Sequence, residues 1–279
     1  MLDLRAEGAL GAALLTDLPQ LSEPLRTVAV HTWLGRMVNE HISAQVFGAL
    51  LGQAMAAGLP AKRIADLAAF AGEELAHARQ CAAAVAALGG QAQAPYPPLA
   101  RVPDHLDAAS PLEAVLRNII AVCCLSETVA VALIRAETLE IGPATLKKLL
   151  DGILADEVGH ARRGWTLLDE LAPLDPALCR RLDAYLTVAL VHLVEHELAF
   201  LPDHGGMGDQ AAQLGVCSGQ AARTLFLDTV ETVIVPGLQR HGLQAQEAWQ
   251  QAQARLRAKN HVCMSPLPLM AMLPRASMA

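Results

Sequence analysis

Two stretches of this chain echo one another. Gly72–Arg79 reads Gly-Glu-Glu-Leu-Ala-His-Ala-Arg, and Ala155–Arg162 reads Ala-Asp-Glu-Val-Gly-His-Ala-Arg. Each has an acid, then Glu, then His three residues after the Glu. On an α-helix three residues advance ~300° and ~4.5 Å, so Glu74 and His77 share one face, as do Glu157 and His160. A further Glu stands upstream of each pair, Glu40 before the first and Glu127 before the second. Four carboxylates and two imidazoles aimed into a helical bundle are the ligand complement of a di-iron or di-manganese site.

That reading requires helices, and the punctuation of the chain supplies them. Ser22-Glu-Pro24 opens a first long helix that stops at Gly58-Leu-Pro60. Along it Trp33, Met37, Glu40, Ala44 and Phe47 recur at steps of three and four, which puts Glu40 in the apolar stripe. A second helix runs from Pro60 to Leu88 and stops at Gly89-Gly90, with Leu67, Phe70, Glu74, His77, Cys81 and Val85 on one face. A linker with Pro95, Pro97, Pro98 and Pro103 follows, too long for a tight hairpin. Ser110-Pro111-Leu-Glu113 is a capping box. The third helix it opens carries Ile120, Cys123, Cys124, Glu127, Val131 and Ile134, ending near Gly142-Pro143. A fourth runs to Ala172 with Leu150, Ile153, Leu154, Glu157, His160, Gly164 and Leu167 or Leu168 inward.

Composition agrees with an all-α fold. The chain has 279 residues, 53% of them hydrophobic and only 3% aromatic. Its abundance of Ala favours closely packed helices over sheets. We expect a single domain, with a four-helix metal-binding core at 24–172 and a helical extension at 173–279. A net charge of -7 argues against a nucleic-acid partner. The six cysteines form no C-x-x-C pair and no regular framework, which favours a reducing cytoplasm. Met1–Thr16 lacks the basic start of a secretory signal. Most apolar runs are cut by charge or breakers well before the ~20 residues of a membrane span, so a soluble protein is expected.

Burial is the physical crux. Ionised carboxylates in an apolar interior cost several kcal/mol each and repel one another. Two divalent cations cancel four negative charges, and neutral imidazoles complete the coordination. Asp156 and Glu73, each one residue before a ligating Glu, are placed to reach the imidazole on the neighbouring helix. We expect bonds from Asp156 to His77 and from Glu73 to His160 that fix the ring tautomers.

Over about Thr27–Leu171 the chain resembles the ferritin-like di-iron carboxylate superfamily, close in spacing to rubrerythrin and the small subunit of class I ribonucleotide reductase. The resemblance implies a four-helix bundle with a long crossover between its second and third helices. It implies that Glu40, Glu74 and His77 serve one iron and Glu127, Glu157 and His160 the other, with Glu74 and Glu157 bridging. Manganese in one or both positions is an alternative. Relatives include oxygenases, desaturases, radical generators, peroxide reductases and ferroxidases. A radical generator needs a nearby Tyr, whereas Cys81 stands one turn after His77, and Tyr96 and Tyr185 lie elsewhere. No four-cysteine rubredoxin module is present, and Cys124 stands where rubrerythrins carry an extra Glu. The expectation is therefore a di-iron enzyme that uses O2 and an external electron donor to oxidise a small organic molecule. Rubrerythrin-like peroxide reduction or ferroxidase activity is the first alternative, a non-catalytic metal-binding protein the second.

The remaining chain is read as further helices: one from Asp175-Pro176 to about Phe200, a Gly-rich loop at Asp203–Gly208, one from Ser218 to Arg240 with Pro236 as a kink or stop, and one from Gln244 to Lys259. Iron storage requires no such addition. It suits a pocket wall or lid, or a homodimer interface. Within it His192, Glu195 and His196 share a face and are candidates for a further ligand or proton relay, against a half-buried polar stripe. Cys123 and Cys124 are expected as small apolar fillers rather than cavity lining, and His31 is expected away from the site.

Overall fold

A computed structural model describes residues 1–171, 176–201, 208–217 and 219–262 of the chain. Helix makes up 78% of it and strand only 2%, so the all-α expectation holds. The elements run β1 (Leu2–Asp3), α1 (Arg5–Ala12), α2 (Glu23–Ala56), α3 (Ala61–Ala87), β2 (Gln93–Ala94), α4 (Pro111–Ile119), a first π-helix (Ile120–Ser126), α5 (Glu127–Glu140) and α6 (Ala144–Leu171). Then come α7 (Pro176–Phe200), α8 (Asp209–Ala212), α9 (Gly219–Thr229), a second π-helix (Val230–Ile234), α10 (Val235–Arg240) and α11 (Ala245–Val262).

The first long helix, α2, starts from extended Ser22 with Pro in its first turn, where the missing N–H costs nothing. It ends where Gly58 takes a φ of 68°, which lets Leu59 N–H bond back to the Ala54 carbonyl at 3.1 Å. Its inner row, Trp33, Met37, Ala44, Phe47, Leu50 and Ala54, is buried against α3. Trp33, Phe47 and Phe70 are among the largest fully enclosed side chains, each stabilising the fold by about 1.5–3 kcal/mol. α1 lies on α3 at close range. A Cβ on Gly8 would meet the Ala82 carbonyl oxygen at 2.7 Å, and one on Gly11 would meet the Ala83 Cβ at 2.6 Å. The two short strands, absent from the sequence reading, pair Leu2 with Ala94 and tie the N-terminus to the crossover segment. Asp17 in the N-terminal segment accepts from Ala144 N–H at 2.6 Å and so caps α6.

The third core helix departs from expectation. It does not continue as an α-helix past Ile119 but winds as a π-helix over Ile120–Ser126 and resumes at Glu127. Hydrophobic periodicity carries no signal for a single widened turn. Such turns often sit at functional sites. Here Cys123, Cys124 and Leu125 are buried in succession immediately before a proposed ligand. Beyond it, Val129 is fully buried while Val131 is only half-buried, because the C-terminal helices cover the Val129 side of α5. α6 comes closest at Gly164, where a Cβ would lie 2.3 Å from that of Cys123. We therefore expect Gly164→Ala to cost about 1–3 kcal/mol by overpacking. It should also weaken metal binding, because Cys123 sits one turn before Glu127. Urea unfolding together with metal content per chain checks both effects.

α7 packs along α11, and Leu182, Leu186, Leu190, Phe226, Ile234 and Trp249 share one apolar cluster with Leu116, Ile120, Leu125 and Val129. Pro236 does fall at a break: it lies in the first turn of α10, directly after the second π-helix. Nearly all of the expected Gly-rich loop lies outside the described residues. One helical stretch among them, Pro111–Glu140, is long and apolar enough to cross a membrane. It also carries buried Glu113, Arg117 and Glu127, all bonded to or facing protein groups.

Candidate metal centre

The six residues singled out from the sequence converge from four helices. Ligand atoms of Glu40, Glu74, His77 and Glu157 lie within 4.8 Å of one another, as do those of Glu74, Glu127, Glu157 and His160. Glu74 and Glu157 belong to both groups. Bonds of ~2.1 Å span roughly 4.2 Å across one ion, so small side-chain adjustments close each set. Helical spacing accounts for each Glu-x-x-His pair. The antiparallel packing of α2 on α3, and of α5 on α6, then sets Glu40 and Glu127 beside them.

The imidazoles have distinct inner and outer edges. His77 Nε2 lies 3.0 Å from Asp156 Oδ2, and His160 Nε2 lies 2.8 Å from Glu73 Oε2. Each carboxylate thus reaches the ring on the other helix, strapping α3 to α6 in both directions. With Nε2–H donated outward, loss of the proton from Nδ1 would leave its lone pair facing in. His77 Nδ1 is 3.4 Å from Glu157 and 3.6 Å from Glu40, and His160 Nδ1 is 3.1 Å from Glu74 and 3.3 Å from Glu157. Both Nδ1 atoms and Glu74 Oε2 are buried without a hydrogen-bond partner. Buried polar atoms are rarely left so, and metal ions held by the two groups would satisfy all three. The residues of each group could hold a metal ion.

Around the ligands the walls are dry. Phe70 and Phe47 stand 4.3 and 5.4 Å from the His160 ring, centre to centre. Both imidazoles are fully buried, whereas the Glu40 side chain is 15% exposed, the most of the six. Cys81 and Cys123 are buried neighbours whose thiols are pushed well up by burial.

Charge in this interior is held by protons where no cation takes their place. Burial lifts Glu40 to about 8 and Glu127 well above the usual carboxylate range. Burial also works against charged imidazoles, but the carboxylates outweigh it. His77 is raised by Glu157, Glu40 and Glu74, and His160 reaches about 12 through Glu127, Glu157 and Glu74. Glu157 goes the other way: burial raises it, yet the closeness of the His160 and His77 imidazoles holds it below the usual range. A metal ion bound here would therefore compete with protons on Glu40, Glu127 and the two imidazoles. The apparent affinity is expected to climb by roughly tenfold per pH unit for each proton displaced, between about pH 6 and 8. Competition titrations with a chelator across that range test this, and a flat profile would contradict it.

Not every expected residue joins the centre. His192, Glu195 and His196 belong to neither ligand group and lie exposed on α7, because that face of the helix turns away from the core. The trio stands apart from the two ligand groups and is more exposed than a half-buried polar stripe. His31 is exposed, as its spacing from Glu40 predicts. Tyr96 is exposed and bonded to His41, and Tyr185 lies edge-on to His105 with the Arg117 guanidinium over its ring, so neither belongs to the two ligand groups. A further buried polar cluster had only its capping residue visible in the sequence. Glu113 accepts from Arg117 at 2.7 Å, Arg181 at 2.6 Å and the Ala109 N–H at 3.1 Å. Comparison with protein-family models, with curated proteins and with solved structures gives no match to this chain.

Proposed function

We propose that this chain is a ferritin-like di-metal carboxylate protein, a non-haem di-iron oxidoreductase that uses O2 to oxidise a small organic substrate. One observation carries the reading: two buried imidazoles present unpartnered Nδ1 atoms to four carboxylates, with their Nε2 atoms anchored by two more. Glu40 and His77 would hold one ion, Glu127 and His160 the other, and Glu74 and Glu157 both. Iron bound there supplies O2 activation with electrons from an external donor. The chain's own share is positional. Asp156 and Glu73 keep the Nε2 protons and fix both rings, so the ligands stay preorganised. Phe47 and Phe70 exclude water on the His160 side, and the partly exposed Glu40 marks the side open to solvent. An organic substrate is favoured because the long C-terminal layer buries α4 and α5, which iron storage does not require.

The test has two stages. Protein expressed with iron and manganese both supplied is analysed for metal per chain, then the iron form is reduced and exposed to O2. Catalytic O2 uptake that needs added reductant and leaves the iron bound supports the proposal. Iron released into a mineral, or turnover with peroxide instead of O2, replaces it with ferroxidase or peroxide-reductase activity. Bound metal without O2 uptake leaves a non-catalytic binder.

A further inference from the structure

We propose that His192 and His196 form a second, separate metal site on the surface of α7, for one divalent transition-metal ion that prefers imidazole, such as zinc, nickel or copper. Four residues apart on a helix, two side chains stand ~6 Å along the axis and nearly in line. Both residues are exposed, and their rings lie 6.1 Å apart at an interplanar angle of 21°. With bonds of ~2.1 Å to a common ion the ring centres come roughly 1 Å closer, which a small side-chain rotation supplies.

Three further contacts prepare the pair. His196 Nδ1 lies 3.3 Å from Glu197 Oε1, so a proton held there leaves Nε2 as the ligand atom. The Phe200 ring sits 4.9 Å from the His196 ring and restricts its swing. Arg223 donates to the Leu198 and Leu201 carbonyls at 3.1 and 2.7 Å, which holds the last turn of α7 against fraying. Two imidazoles fill two coordination positions and water fills the rest, so the site is open, unlike the enclosed carboxylate centre. Imidazole donors favour copper, nickel and zinc over magnesium or calcium. The site does not depend on the proposed oxidase activity.

Copper(II) titration of the full-length protein tests the proposal, followed by electron paramagnetic resonance and electron spin echo measurements. The wild type should bind one more copper ion than His192→Ala/His196→Ala, with two imidazole nitrogens on the extra ion. Either single alanine variant should weaken that ion by roughly a hundredfold, because the second imidazole acts at high effective concentration. Both positions are exposed on a helix, and circular dichroism verifies that the variants keep their fold. The difference in stoichiometry is read whatever the occupancy of the buried centre. Equal copper stoichiometry and affinity in the wild type and the double variant, or a single nitrogen in the wild type, overturns the proposal.

Discussion

Replacing Glu157 with alanine should empty both metal positions, whereas Glu40→Ala should leave one ion in place. Glu157 belongs to both ligand groups, with Oε1 3.4 Å from His77 Nδ1 and Oε2 3.3 Å from His160 Nδ1. It is also the carboxylate that the imidazoles hold most firmly ionised, so its loss removes negative charge from the middle of the cluster. Glu40 contributes to one group only and is the most exposed ligand. Elemental analysis of the two purified variants checks the contrast. The wild type should carry about two ions per chain, Glu40→Ala about one and Glu157→Ala close to none. Metal also stabilises the folded state by mass action, about 2.7 kcal/mol at a free concentration a hundred times the dissociation constant. Glu157→Ala should therefore unfold at the same temperature with or without added iron or manganese, while the wild type shifts upward. Equal losses in both variants would mean that the two groups are not bridged as described.

The largest purely structural effect is expected at Glu113. This fully buried carboxylate accepts from the Ala109 N–H just before α4, pairs with Arg117 on its own helix and receives Arg181 from α7. Glu113→Leu leaves the Arg117 guanidinium, only 8% exposed, with the exposed Asp107 at 2.8 Å as its remaining counter-charge, and should cost about 3 kcal/mol, the low end for breaking a buried pair. Arg181 is half-exposed and can turn to water, so most of the cost falls on Arg117. Adding Arg117→Met should recover much of the loss, since an apolar pair of similar volume suits the interior. Urea unfolding of the single and double variants measures this.

The pH dependence has a definite sign. Burial pushes the Glu113 carboxyl up, but Arg181, the Ala109 N–H and Arg117 outweigh it and hold it below the usual range. A depressed carboxyl stabilises the fold above its unfolded value, ~4.3, and that contribution is lost as pH falls through the folded value. The gap between wild type and Glu113→Leu should therefore be full at about pH 6 and shrink towards about pH 3.

The clustering of these residues could be read from the sequence because Glu-x-x-His is a local pattern. Three residues on a helix always share a face, so Glu74 and His77, and Glu157 and His160, are paired by backbone geometry alone. The apolar stripes around Glu40 and Glu127 made these residues inward-facing candidates for the same reason. Even the placing of Asp156 and Glu73 follows from position, one residue before a ligand and hence turned towards the adjacent helix.

What the spacing could not say depends on neighbours distant in the chain. The π-helix before Glu127 exists where α6 presses Gly164 against Cys123, a contact with no periodic trace. The His192 and His196 face carries the same residue types as the buried pairs, and only the docking of α7 turns it outward. Glu113 announced itself as a cap, but not as the meeting point of two arginines on different helices. Helical phase is set by hydrogen bonds within a few residues. Which face is buried, and against what, is set by how whole helices pack, and that was decided only in the folded chain.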